Sequence, residues 1–114
     1  MSQWRSICPV SHLPLERGVA ALVDGAQVAV FRTADDRLHA VSNLDPFSGA
    51  MVLSRGIVGS RGERSTVTSP VFKQVFDLET GQCLDDETAC LEVHLVRVHL
   101  GLVEVALRAQ ALSA

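Results

Sequence analysis

Apolar residues recur along the chain in short runs broken by turn residues, without a sustained helical period, a pattern typical of β-strands. Two such runs, over 18–23 and 27–32, flank the dipeptide Asp24-Gly25. Asp-Gly between β-rich runs favours a type I′ turn, because both central residues of that turn need positive φ. The pattern therefore predicts a β-hairpin over 18–32.

A second hairpin is predicted near the C-terminus. Val96 and Val98 alternate with polar residues, a turn follows at Leu100-Gly101, and the alternation resumes over 103–107. A period of two places every second side chain on the same face of a strand, so one face of this hairpin should be buried.

The middle of the chain is less regular. Asp35-Asp36 predicts a turn before a strand over 38–41, and the glycine-rich stretch 45–62 predicts loops and a broken strand. Several short strands at this spacing predict an all-β fold, a small antiparallel sandwich or barrel. We expect one domain over 1–107 and a frayed tail over 108–114.

Composition narrows the function classes. With 47% hydrophobic and 20% charged residues, the 114-residue chain should be globular, and its net charge of -3 argues against nucleic acid or an anionic membrane as a partner. We find no apolar run long enough for a bilayer and no secretion signal. Three cysteines form no even-numbered disulfide framework, so a reducing cytoplasm is expected.

A zinc site is the first chemistry to weigh. Cys83, Cys90, His94 and His99 give a C-x6-C-x3-H-x4-H spacing. On an extended strand Cys90 and His94 would lie roughly 13 Å apart, whereas zinc ligands converge within about 2.3 Å of one point. We therefore expect buried thiols and exposed strand histidines instead. No nucleophile elbow is present either, and the residues alone indicate no catalytic site.

Two segments nevertheless resemble a Rieske ferredoxin-type domain. D-P-F-S-G-A over 45–50 and L-S-R-G over 53–56 stand where such a domain has C-P-H-x-G-A and L-S-x-G. S-P-V-F-K over 69–73 and F-D-L-E-T-G over 76–81 stand where it has C-P-x-H-G and an aromatic-Asp-Leu-x-Thr-Gly run. The resemblance covers most of the chain and implies a Rieske-like [2Fe-2S] ferredoxin-type fold.

The cluster ligands, however, are all replaced. A Rieske site holds one iron with two cysteines and the other with two histidines. In this frame the two cysteine positions are Asp45 and Ser69, the two histidine positions are Phe47 and Phe72, and the glycine after the second histidine is Lys73. Phenylalanine has no lone pair for iron, so we expect neither a cluster nor another cofactor in this chain.

This substitution pattern, together with L-S-R-G-I-V-G over 53–59, is similar to the small subunit of assimilatory NAD(P)H nitrite reductase. The resemblance implies a cytoplasmic, non-catalytic accessory subunit. It also implies a large subunit that carries FAD, an iron–sulfur cluster and sirohaem and reduces nitrite to ammonium. Leu100-Gly101 departs from the family, where Asp-Gly is more usual.

Two alternatives of other classes remain at this point: a Rieske-type ferredoxin that transfers single electrons, and a free-standing protein-binding module derived from one. A Rieske-like part of a larger reductase is a third. For the nitrite reductase interpretation, the candidate partner interface comprises Phe47, Arg55, Phe72 and Lys73, with Arg61 and Arg64 as further cations nearby in sequence. We expect Phe47 to fill the vacated cluster volume, and Phe72 with Lys73 to be partly exposed.

Overall fold

The computed structural model describes residues 3–108, within which the chain forms nine β-strands and two short 3-10 helices. The strands are β1 (Arg5–Pro9), β2 (Arg17–Val23), β3 (Ala26–Arg32), β4 (Leu38–Ser42), β5 (Ile57–Arg61), β6 (Arg64–Thr68), β7 (Val75–Asp77), β8 (Val93–His99) and β9 (Leu102–Ala106). The 3-10 helices span Val10–His12 and Leu53–Arg55. All strand pairs are antiparallel, in a six-stranded sheet of order β1-β9-β8-β4-β3-β2 and a three-stranded sheet of order β5-β6-β7. The all-β prediction is confirmed.

Strand β3 is apolar without alternation because both of its faces are buried. Ala29 and Phe31 belong to a core shared with β6 and β7 of the small sheet, whereas Val28 and Val30 belong to a second core shared with β9. All four side chains are fully buried. A continuous apolar run is what a strand covered on both sides requires. The three-stranded sheet thus packs over one face of β3.

Both predicted hairpins are confirmed. Asp24 and Gly25 have φ of 48° and 86°, and Leu100 and Gly101 have φ of 53° and 78°. Each pair joins two paired strands through a two-residue loop, which is the geometry of a type I′ turn. Leucine therefore occupies a left-handed position at which aspartate or asparagine is less strained.

The C-terminal hairpin buries one face only in part. Val103 and Val105 of β9 are fully buried, but Val98, paired with Val103, is 49% exposed. Strand β8 pairs with β4 only at Val93 and His94, so its far half has a neighbour on one side alone. The turn end of this hairpin extends beyond the core.

The glycine-rich middle contains a regular hairpin that we did not predict. Strands β5 and β6 pair along their whole length across Gly62-Glu63. Gly62 has a positive φ of 64° and the φ of Glu63 is not positive, which fits a type II′ turn with glycine in its first central position. The hairpin contributes Val67 to the core and leads directly into the segment 69–74.

The F-D-L-E-T-G segment over 76–81, which resembles a Rieske domain, forms a tight turn after β7. The Asp77 carboxylate accepts hydrogen bonds from the backbone N–H of Glu79 (2.8 Å) and Thr80 (3.3 Å) and from Arg64 (3.0 Å). Gly81 ends the turn with φ of 81°, where an added Cβ would lie 2.1 Å from the Leu91 carbonyl oxygen. The turn therefore explains two residues of the Asp-Leu-x-Thr-Gly run: the aspartate binds the backbone of the turn, and its last position has room only for glycine.

Arg108, the last described residue, is hydrogen-bonded to β8. Arg108 donates its backbone N–H to His94 Nδ1 (3.2 Å) and its side chain to the Val93 carbonyl (2.8 Å). The rest of the expected tail, 109–114, lies outside the described residues.

Candidate functional site: the two tip loops

The first tip loop, defined here as residues 45–50, follows β4 and is closed by its own backbone. The Asp45 N–H donates to the Ala50 carbonyl and the Gly49 N–H to the Asp45 carbonyl, both at 2.8 Å. The Phe47 N–H donates to Asp45 Oδ1, also at 2.8 Å. An aspartate that accepts the N–H two residues later is the usual Asx turn. Asp45 therefore fixes the loop from inside.

The second tip loop, residues 69–74, joins β6 to β7 and is built in a similar way. The Ser69 N–H donates to the Gln74 carbonyl at 2.9 Å, and the Val71 N–H donates to Ser69 Oγ at 3.3 Å. Lys73 has φ of 64°, a left-handed conformation at the position where a Rieske domain has glycine. Its Nζ donates to the Pro70 carbonyl at 2.9 Å. The backbone conformation that glycine serves is thus kept although glycine is gone.

A buried hydrogen bond connects the two loops. Ser69 Oγ donates to Asp45 Oδ2 at 2.5 Å, and neither residue is exposed to solvent. Burial raises the pKa of the Asp45 carboxyl, but hydrogen bonds from the Ser69 hydroxyl, from the Phe47 N–H and from Ser48 outweigh it, so the pKa lies below its ordinary value. The side chains at the two cysteine positions therefore bind each other.

The two phenylalanines differ in exposure. The Phe47 ring is half-buried, packs against the core cluster that contains Phe76, and has its centroid 6.2 Å from that of Phe76. Phe72, in contrast, is 57% exposed, and Val71 beside it is 43% exposed. One histidine position thus carries a half-buried side chain that packs against the core, and the other carries a side chain directed largely to solvent.

The remaining cations near the tip differ in whether they form an ion pair. Arg55 is exposed at the end of the second 3-10 helix, whereas Arg61 lies 3.7 Å from Asp85 and Arg64 lies 3.0 Å from Asp77. The structure therefore brings Phe47, Ser69 and Asp45 together, whereas Arg55 lies on the segment that follows the first tip loop.

Asn43 is a residue that our sequence analysis missed. It is buried and holds the segment after the first tip loop, since its Oδ1 accepts the Ser54 N–H (2.8 Å) and its Nδ2 donates to the Met51 carbonyl (3.2 Å). A lone asparagine where an apolar strand meets a loop was the available signal, because such a side chain often bonds nearby backbone.

The expectation about thiols and histidines was half wrong. Cys83 is buried and His99 is exposed as expected, but Cys90 is exposed and His94 is only 7% exposed. Cys90 precedes β8 rather than lying on it, and His94 lies where β8 pairs with β4 and is therefore covered. Burial lowers the pKa of the His94 imidazole.

The tip does not fit a Rieske cluster. Its four ligand positions offer no thiolate and no imidazole, and the two oxygen-bearing side chains already bind each other. Among residues 3–108, no group of three or more His, Cys, Asp and Glu side chains is placed to hold a metal ion.

Comparison with known proteins agrees with the resemblance. Residues 3–106 match the Rieske-like [2Fe-2S] domain family. The nitrite reductase (NADH) small subunit of Escherichia coli (strain K12) is 41% identical over 106 residues, which are 92% of this chain and 98% of that protein. The nitrite reductase [NAD(P)H] large subunit of Klebsiella oxytoca is 36% identical over 102 residues, which are 90% of this chain and 11% of that protein.

Solved structures agree as well. A crystal structure from Mycobacterium tuberculosis, assigned as an NADH-dependent nitrite reductase small subunit, is 51% identical, with a TM-score of 0.88 over 90% of this chain and 93% of the other. The ferredoxin of carbazole 1,9a-dioxygenase from Nocardioides aromaticivorans is 26% identical, with a TM-score of 0.77 over 92% of this chain and 98% of the other. The chain has the Rieske-like fold, and it belongs to the family of NAD(P)H nitrite reductase small subunits.

Proposed function

We propose that this small subunit works in the cytoplasm without an iron–sulfur cluster, as a non-catalytic partner of the large subunit in nitrate assimilation. The observation that carries the proposal is the Asp45–Ser69 hydrogen bond, which occupies the positions of the two cysteine ligands. A cluster would need both side chains to be free and two imidazoles in place of Phe47 and Phe72.

Without a redox centre, the chain contributes through binding. The large subunit is expected to carry FAD, an iron–sulfur cluster and sirohaem, as the family resemblance implies, and it therefore holds the groups that pass electrons to nitrite. The small subunit supports the assembly, stability or electron flow of that partner. The three cysteines, Cys8, Cys83 and Cys90, are all free, which suits a reducing compartment.

We assign the docking surface to the tip, with Phe47, Arg55, Phe72 and Lys73 as its residues. Phe72 is the strongest element, because an aromatic ring that is 57% exposed beside a 43% exposed valine is costly in water and typical of an interface anchor. Lys73 and Arg55 are exposed cations that would orient the partner.

The Klebsiella oxytoca relative supports this partner. There a segment similar to nearly the whole of this chain is part of a polypeptide described as the large subunit. A domain that is joined covalently to the large subunit in one species and separate in another is expected to use the same contact surface in both.

Affinity purification from cells grown on nitrate or nitrite tests the proposal. Wild-type bait should capture the large subunit, identified by mass spectrometry, and Phe72→Ala bait should capture less of it. A Glu87→Gln bait, altered at an exposed position that belongs to neither tip loop, serves as the control. Capture of an unrelated complex without the large subunit would favour the free-standing module, and a coloured, iron-containing bait would favour a ferredoxin.

A further inference from the structure

Most arginines of this chain form an ion pair or a hydrogen bond with another residue of the chain. Six of the nine form ion pairs with carboxylates, and Arg108 bonds a backbone carbonyl. Among the arginines within residues 3–108, only Arg17 and Arg55 form neither an ion pair with a carboxylate nor a hydrogen bond to an acceptor. Their guanidinium groups are therefore free to bind a carboxylate of another molecule.

These two arginines line one cleft. The cleft lies between the start of β2 and the segment 54–58, and both arginines border it with Ile57. Gly18 allows the two walls to approach, because an added Cβ would lie 2.5 Å from the Ser54 carbonyl oxygen and 2.5 Å from the Phe31 ring. The cleft is therefore built by close backbone packing, which fixes its shape.

The cleft also adjoins the tip. Ile57, which is 71% exposed, pairs with Thr68, the residue immediately before Ser69 of the second tip loop. A Cβ at Gly56 would lie 2.5 Å from the Thr68 carbonyl oxygen, so the two segments are in direct contact. A partner bound at Phe72 of the second tip loop could therefore also contact this cleft.

Its chemistry favours a carboxylate with an apolar neighbour. Arginine binds carboxylates through two parallel N–H···O bonds, and Ile57 offers apolar area beside it. Glu16, the carboxylate that lines the cleft, forms no ion pair with either arginine. Because the chain carries a net charge of -3, an acidic partner would be drawn to this cleft rather than to the surface as a whole.

We infer that this cleft receives an acidic segment of the large subunit, with its carboxylates on Arg17 and Arg55 and an apolar side chain on Ile57. The inference rests on the proposed function and extends the docking surface from the tip along the edge of the small sheet. It adds Arg17 and Ile57 to the residues that select the partner.

The test is a binding titration of the purified small subunit against its large subunit at low and at moderate salt. The double variant Arg17→Gln/Arg55→Gln should bind about 10-fold more weakly or worse, and its affinity should depend less on salt than that of the wild type. Arg55→Glu should bind more weakly than Arg55→Gln, because it adds repulsion. Ile57→Ser should weaken binding without changing the salt dependence.

Arg61→Gln is the matched control, since Arg61 lies on β5 with Ile57 but is paired with Asp85, and it should stay within about 2-fold of the wild type. Thermal melts of the variants should match the wild type, because neither cleft arginine has a partner within the described chain. Unchanged affinity of the double variant while Phe72→Ala weakens binding would overturn the cleft and remove Arg55 from the docking surface, but it would keep Phe72 as a docking residue and leave the proposed function standing. No association of the wild-type subunits would overturn both proposals.

Discussion

Replacing Ser69 with alanine removes the hydroxyl that connects the two tip loops. The bond is short at 2.5 Å, its acceptor is a carboxylate, and both residues are fully buried. A hydrogen bond to a charged group contributes about 1.5–3 kcal/mol, so the free energy of unfolding should fall by about 2 kcal/mol. Asp45→Ala also leaves the part-buried Phe47 N–H without its acceptor, and should cost about 3–5 kcal/mol.

The double variant Asp45→Ala/Ser69→Ala isolates the bond. Once Asp45 is gone, the Ser69 hydroxyl keeps only the hydrogen bond that it accepts from the Val71 N–H at 3.3 Å, so its removal should cost less than in the wild type. The coupling energy from the cycle should therefore be about 2 kcal/mol, measured by urea unfolding at neutral pH with an unchanged m-value.

The Asp86–Thr88 pair provides a control cycle. Thr88 Oγ1 donates to Asp86 Oδ1 at 2.6 Å, but the bond is exposed to solvent. Its coupling energy should be below about 1 kcal/mol, because water replaces the lost partner. If the Asp45 and Ser69 variants are additive to within about 0.5 kcal/mol, the buried bond does not hold the tip loops together.

Other expected outcomes follow from single side chains. Phe47→Ala should lower the free energy of unfolding by about 2–3 kcal/mol, because its ring is half-buried against Phe76, and chemical denaturation will show it. Phe72→Ala should leave stability unchanged but weaken binding to the large subunit by about 2 kcal/mol; a loss of stability equal to that of Phe47→Ala would contradict its exposure. The lowered pKa of His94 means that the unfolded chain binds its proton first, so stability should fall as pH drops below about 6.5, and His94→Gln should reduce that slope. Gly81→Ala should cost more than about 3 kcal/mol, whereas Gly25→Ala, at a similar φ but with open space, should cost about 1 kcal/mol in thermal melts.

Local pattern was sufficient for much of the fold. The Asp24-Gly25 dipeptide predicted the first hairpin because a type I′ turn selects its residues by φ alone, and the alternation around Leu100-Gly101 predicted the second. The hairpin across Gly62-Glu63 had a similar local signal, a glycine in the first central position, but it was lost among the other glycines of the stretch 45–62.

Contacts between distant parts of the chain could not be predicted from the sequence. The motif frame identified Asp45 and Ser69 as former ligand positions, but not that they bind each other across 24 residues of sequence. His94 was expected at the surface because a strand pattern shows which residues share a face, not how far a neighbouring strand covers that face. Arg17 went unnoticed for the same reason, since its cleft exists only when β2 and the segment 54–58 meet.

Iron and sulfide analysis of the anaerobically purified chain, together with its visible absorbance spectrum, shows whether the chain holds a cluster. A Rieske ferredoxin prepared in parallel shows that the procedure preserves such clusters. The small subunit should be colourless, with neither iron nor sulfide in stoichiometric amount, because Asp45, Phe47, Ser69 and Phe72 occupy the ligand positions. About two irons and two sulfides per chain, with visible absorbance, would contradict the account.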